Sequence, residues 1–241
     1  MRPLSAGQML TVWERGLGQI PLERALTLLE AACPEHDRDS LARMSIGRRD
    51  ACLLQLREWA FGRHISGCMA CQACGQPLEA GFTTDSLRQN GSAPEQIPLS
   101  VGGYELVFRP VNSMDLAGCM GAEPGEIARR LFIRCLISAS SAGVDISCDQ
   151  VPAEIAEHAM DDVTQADPQA NLEIASACGT CGANVRECFD VVSFFWSEID
   201  AWARRTLREV HLLASAYGWN EMDVLSLSSV RRQFYLEMAG A

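Results

Sequence analysis

The sequence contains no lysine: its 20 basic residues are all arginine, set against 31 acidic residues, and the formal net charge is −11. No basic tract stands out, because the arginines fall singly or in pairs on segments with helical periodicity. A chain this acidic is repelled by phosphate backbones unless it hides a local positive patch, so proteins rather than nucleic acids are the expected partners. Long hydrophobic runs are missing too. Arg, Asp or Glu interrupts each one before it nears the roughly 20 apolar residues of a membrane span, so no membrane is expected. Arg2, Glu14, Arg15, Glu23 and Arg24 punctuate the first thirty residues, so no signal-peptide core is expected there and the chain should stay in the cytoplasm where it is made.

Catalytic signatures are equally scarce. His36, His64, His158 and His211 are scattered, no serine sits in a nucleophile elbow, and no glycine-rich phosphate loop is present. Asp161, Asp162 and Asp167 lack the alternating ligand pattern of a calcium loop and read as a solvated helix end. The expectation is a protein that is not an enzyme, with no catalytic residues.

What the chain has is apolar content and cysteine. At 241 residues and 48% hydrophobic it can bury a sizeable core. Its cysteines number eleven, an odd count that fits poorly with a fully paired disulfide framework. Cys33, Cys52, Cys119, Cys135 and Cys148 sit in or beside apolar helical patterns and read as small core residues.

The pattern along the chain predicts helices near both ends. Ser5 caps a short helix ended by the Gly16 to Gly18 region, Pro21 opens a second helix, and residues 48–61 form a third. From Gly62 short alternating segments replace the helical period. Residues 79–83 and 104–108 read as strands, the second behind a Gly102-Gly103 turn, and residues 88–98, with Asn90, Gly91, Ser92, Pro94 and Pro98, read as a loop. Residues 126–139 and 152–165 read as helices, and 172–177 and 184–189 as strands. No repeat of fixed period is evident. The clearest periodicity puts Val192, Phe195, Ile199, Trp202, Leu207, Val210, Leu213 and Tyr217 on one face of a helix of about seven turns ended by Gly218, with Asn220 and Ser228 capping two short helices after it. The expected fold is α+β, mainly α: N- and C-terminal helical segments around a small zinc-ribbon β element. The expected divisions are 1–62, 63–191 with a long insert at about 84–170, and 192–241.

The constellation with chemistry is a pair of matching tetrads, Cys71-Gln72-Ala73-Cys74 and Cys178-Gly179-Thr180-Cys181, each followed by a glycine, Gly75 or Gly182. Two residues between cysteines let a tight turn aim both sulfurs at one ion about 2.3 Å away, and glycine accepts the positive φ that completes such a turn. Cys71, Cys74, Cys178 and Cys181 therefore make a closed tetrahedral set for one structural Zn2+. The 103 residues between Cys74 and Cys178 add about 4 kcal/mol of loop-closure entropy plus a constant. Structural zinc binding of roughly 10 to 16 kcal/mol exceeds that. A thioredoxin-like redox pair, a disulfide within each tetrad, and two unliganded pairs remain as alternatives. Cys68, Cys188 and His64 lie close enough in sequence to stand in as ligands, but each lacks a knuckle partner. Four sulfur ligands leave no open position for water or substrate, so such a metal holds the fold without acting as a Lewis acid.

The stretches VWERGLGQIPLERALTLLEAACP at 12–34, GRRDACLLQLREWAFG at 47–62, CQACGQPLEAGF, ADPQANLEIASACGTCG and REVHLLASAYGWNEMDVLSLSSVRRQFYLEM span nearly the whole chain. Together they resemble the T-even-type phage baseplate hub assembly chaperone family, in the zinc-knuckle form encoded beside contractile tail and tail-like injection genes. Gln72 stands where the common Cys-Pro-x-Cys-Gly form has proline. The resemblance implies a non-catalytic chaperone or adaptor that binds baseplate hub or tape-measure proteins, working in the bacterial host cytoplasm and retained or not in the virion or tail-like particle. Tyr217, Trp219, Arg231, Arg232 and Tyr235 are candidates for the partner surface, since aromatic residues and arginine are favoured at binding hot spots. Tyr217 and Trp219 can instead staple the long helix to the last two. A zinc-ribbon nucleic-acid-binding regulator is the alternative from another class, and it wants a basic stripe that the sequence does not display.

Overall fold

The computed structural model describes every residue except Asn90, Ser92 and Ala241. Asn90 and Ser92, two of the turn residues expected in the 88–98 loop, thus lie outside the described residues. The chain forms two compact units, one of residues 1–35 with 191–241 and one of residues 36–190. These units cut across the three-part division expected from the sequence. The first two helices belong with the C-terminal ones, and the helix over 46–61 belongs with the middle of the chain.

The first unit is helical. α1 (Ala6–Gly16) starts at a capping box in which Ser5 and Gln8 satisfy each other's backbone N–H groups, and α2 (Pro21–Ala32) starts at a proline whose missing N–H costs nothing there. α9 (Val191–Tyr217) follows at the other end of the chain, then α10 (Glu221–Ser226) and α11 (Ser229–Ala239), capped by Asn220 and Ser228 as expected. The buried stripe of α9 runs through Val192, Phe195, Trp196, Ile199, Ala203, Thr206, Val210 and Leu213. Trp202, Leu207 and Tyr217 fall off it, because the true stripe keeps a 3-4 spacing that the larger apolar residues do not all obey. Trp196 is seated on Gly16, where an added Cβ would lie 2.0 Å from its ring, and Arg24 stacks on the same ring at 4.5 Å. Trp13 donates its indole N–H to Asp200 at 2.8 Å.

The second unit begins with the short helix α3 (Arg38–Ala42), followed by α4 (Ile46–Phe61). A hairpin of β1 (His64–Ala70) and β2 (Pro77–Thr83) follows, then α5 (Thr84–Leu87). β3 (Ile97–Val101) pairs with β4 (Tyr104–Phe108) across the expected glycine turn. The loop expected over 88–98 is thus shortened. Ile97 and Pro98 belong to β3, and proline is tolerated there because β3 is the edge of its sheet.

After α6 (Ser113–Cys119) comes α7 (Pro124–Cys135), and β5 (Leu136–Ser141) starts at once. The helix expected over 126–139 is therefore corrected: Leu136 to Ala139 are strand. β5 pairs with β4 through a bulge at Val107 and Phe108, and a short apolar run carries no period that separates helix end from strand start. β6 (Val144–Asp145) completes an antiparallel sheet ordered β3-β4-β5-β6. Together with α7 and α8 (Ala153–Gln165) it encloses Leu106, Phe108, Phe132, Ala159 and Val163. The final hairpin is β7 (Glu173–Ala177) and β8 (Asn184–Cys188).

Two acidic groups organise this unit. Asp115 is buried and takes a two-pronged bond from Arg109 at 2.6 and 2.9 Å, with Arg134 at 3.2 Å. Burial alone would raise its carboxyl, but the Arg109 bonds, an Asn112 N–H and both charges outweigh it, so its pKa is lowered. Asp167 does not belong to a solvated helix end, unlike Asp161 and Asp162: it is buried and accepts the Gly47 N–H at 2.8 Å in the first turn of α4. Burial raises its pKa against the pull of Gly47 and Ser45.

Candidate metal centre

Each cysteine tetrad forms the tip of a hairpin, Cys71 to Cys74 between β1 and β2 and Cys178 to Cys181 between β7 and β8. The two tips share one backbone plan. Gly75 N–H donates to the Cys71 carbonyl at 2.7 Å and Gly182 N–H to the Cys178 carbonyl at 2.8 Å, while Cys71 and Cys178 N–H bond the carbonyls of Gln76 and Ala183, both at 2.8 Å. Gly75 and Gly182 both have φ +74°, the left-handed conformation expected of them.

The tips meet. All four sulfurs lie within 4.8 Å of one another. The close pairs run between hairpins: Cys71 Sγ to Cys181 Sγ and Cys74 Sγ to Cys178 Sγ, each 3.7 Å. Four sulfurs at about 2.3 Å from one ion have edges of about 3.8 Å. The donor set therefore fits a tetrahedrally coordinated soft metal ion. Cys71 and Cys178 are buried, Cys74 and Cys181 exposed, and Val185 is the other buried residue of this small cluster, with Met69, Leu78 and Ala183 around it.

The electrostatics are compatible with a cation. Backbone N–H groups of Cys181 and Thr180 pull the Cys178 thiol down to about 6. Gln76 N–H pulls on Cys74 in the same sense, but the neighbouring sulfurs and burial outweigh it and push that thiol up to about 12. Four negative sulfurs at this spacing repel each other strongly, and a divalent ion at their centre removes that cost.

The three residues close enough in sequence to stand in as ligands fall outside, as their lack of a knuckle partner led one to expect. Cys68 and Cys188 are exposed on strands opposite Glu79 and Glu173, and His64 stands at the far end of β1. None belongs to the sulfur cluster. No disulfide joins any of the eleven cysteines. Of the five read as core, Cys33, Cys119 and Cys135 are buried and Cys52 and Cys148 half-buried. Burial, and secondly the Asp115 charge, push Cys135 up to about 12, which leaves it inert.

One signal was present in the sequence without having a fixed period. CQACGQPLEAGF at 71–82 and CGTCGANVRECF at 178–189 share both cysteines, the glycine, an aliphatic position at Leu78 and Val185, and a terminal phenylalanine. Phe82 and Phe189 meet edge to face at 5.4 Å, so the repeated segments touch through the aromatic pair as well as the sulfurs. A single repeat at a spacing of 107 residues escapes any search for regular recurrence.

The residues considered for a partner surface lie in the helical unit. Tyr217 stacks on Trp219 at 4.9 Å, Tyr235 packs edge-on against Trp219 at 4.8 Å, and the Tyr217 hydroxyl donates to the Tyr235 carbonyl at 3.2 Å. This trio ties α9 to α11. Arg232 is buried and bonds Glu209 at 3.0 Å and the Leu227 carbonyl at 2.9 Å, so only Arg231 of the two arginines faces outward. Val230, Phe234 and Met238, one turn apart along α11, are 64%, 62% and 68% exposed. That stripe is readable from its i, i+4, i+8 spacing once the opposite face, with Arg232 and Leu236, is known to be inward.

No helix among the described residues is long and apolar enough to cross a membrane. Residues 18–196 match the family described as T4 bacteriophage base plate protein. No curated protein and no solved structure matches the chain.

Proposed function

From the premise that the chain belongs to the T4 bacteriophage base plate protein family, we propose that it is a non-catalytic assembly chaperone or adaptor for the baseplate hub of a contractile tail or tail-like injection system, fastened by one structural Zn2+ on Cys71, Cys74, Cys178 and Cys181. The observation that carries the zinc reading is the pair of 3.7 Å contacts between hairpins, which match the edge of a tetrahedral zinc-sulfur site. With all four positions filled by sulfur, the metal has no coordination site for water, so its role is to hold the two hairpins together. Hub or tape-measure proteins are the partners, and the exposed stripe of Val230, Phe234 and Met238 beside Arg231 is the surface offered to them. Tyr217, Trp219 and Tyr235 shape that surface from beneath by fixing α11.

Co-expression with each tail protein of its own locus tests the role. A hub or tape-measure protein that co-purifies in defined stoichiometry, and is lost on Phe234→Asp, is the expected result. Failure to retain any of them removes the chaperone reading. The family's description as a base plate protein also favours a second reading, a component kept in the finished particle. Its presence in purified particles at fixed copy number separates the two.

A further inference from the structure

Most guanidiniums with close partners in this lysine-free chain face a carboxylate, as Arg49 does Asp50, Arg88 does Glu58 and Arg109 does Asp115. Arg43 and Arg48 are exposed, and no ion pair or side-chain hydrogen bond to the described residues is recorded for either. Arg43 stands at the C-terminal cap of α3 and Arg48 in the first turn of α4, with the Met44-Ser45 corner between them. Both line one cleft of 290 Å³, whose other walls include Pro94, Glu95, Arg109 and Pro110.

The position of Arg48 is the informative one. A helix of 16 residues presents the positive end of its dipole at the first turn, where acidic groups are favoured and cations are not. α4 has no acidic residue in that turn. Its first N–H groups are already taken, Ile46 by the Val111 carbonyl, Gly47 by Asp167 from the buried side and Arg48 by Ser45 Oγ. What remains on the cleft side is the charge of two guanidiniums, facing Glu95 on the wall and, from Arg43, the Asp37 carboxylate at the start of α3. Arg109 adds nothing free, because Asp115 already holds it.

We infer that this cleft binds carboxylate side chains of an extended acidic segment of a partner protein. The planar fork of a guanidinium matches a carboxylate in two-pronged geometry. Met44, Pro94 and Pro110 give the cleft apolar walls that suit the aliphatic parts of a peptide. Glu95 on the wall disfavours the higher charge density of phosphate. The inference is independent of the chaperone role, since the cleft can be assayed with no tail protein present.

The test uses the full-length metal-loaded protein and a fluorescein-labelled hexaglutamate peptide, read by anisotropy at low salt. Wild type should bind it and not hexaglutamine. Arg43→Glu with Arg48→Glu should weaken binding at least tenfold, and the milder Arg48→Gln by severalfold, with metal content and unfolding midpoint unchanged. Arg208→Glu is the control, because Arg208 is exposed and makes no ion pair among the described residues but lies in the other unit. An equal loss in Arg208→Glu would overturn the inference in favour of diffuse attraction. So would absence of binding by wild type, or displacement of the peptide by inorganic phosphate or a single-stranded oligonucleotide at lower concentration than by free glutamate peptide.

Discussion

The helical unit and the paired hairpins reach order by different means. α1, α2 and α9 bury Leu28, Leu29, Phe195 and Ile199 almost completely, and each such side chain contributes about 1.5 to 3 kcal/mol. The hairpin tips bury Cys71, Cys178 and Val185 and little else. A two-stranded hairpin on its own is marginal in water, so these two depend on whatever joins their tips. Hydrophobic burial is spread over many residues and tolerates the loss of one, whereas a four-ligand site loses its function with any single sulfur.

The sharpest way to break the comparison is to remove the proposed metal. Chelation under reducing conditions should abolish hydrogen-exchange protection in residues 64–83 and 173–188 while amides in the middle of α9 stay protected. Roughly 10 to 16 kcal/mol of apparent metal binding is at stake. Purified protein should carry one zinc per chain by elemental analysis, and Cys178→Ser should carry none after dialysis. Unchanged protection in the metal-free hairpins would contradict the contrast between the regions.

The converse variant is Phe195→Ala, expected to cost about 3 to 5 kcal/mol in denaturant unfolding with zinc content intact. Next comes Asp115→Asn, about 3 kcal/mol at neutral pH, because two arginines lose their shared partner. The sign with pH is fixed. Asp115 titrates lower in the folded chain, so its stabilisation is complete above the ordinary carboxylate range and disappears as pH falls through the lowered value. Asp115→Asn should therefore flatten the acid limb of the stability profile. Asp167, whose value burial raises, acts in the opposite direction, and its contribution is lost as pH rises through the raised value. The smallest effect is at the knuckle glycines. Gly75→Ala and Gly182→Ala should each cost about 1 to 2 kcal/mol, and equally, since both require the same positive φ.

Much of this architecture was readable before any coordinates. Ser5, Pro21, Asn220 and Ser228 announce helix starts, Gly218 announces an end, and the two CxxC-Gly tetrads announce the site. What escaped was tertiary. The join of α7 to β5 depends on a ladder with β4, to which Arg109 N–H adds its bond to the Cys135 carbonyl. The burial of Asp167 depends on Gly47, 120 positions away, where any Cβ would meet its carboxylate at 1.9 Å. Arg232 reads as a surface residue until Glu209 is brought beside it. Each was decided by a neighbour distant in sequence, which local propensity does not encode.

The separation of the tetrads also sets a timetable. At ~5 to 20 residues per second on the ribosome, the 107 positions from Cys71 to Cys178 take roughly 5 to 20 s to be made. During that interval the nascent chain carries two thiols able to grip an ion only halfway. α1 and α2 wait longer still for α9, so the beginning and the middle of the polypeptide both mature only after these later segments have been made.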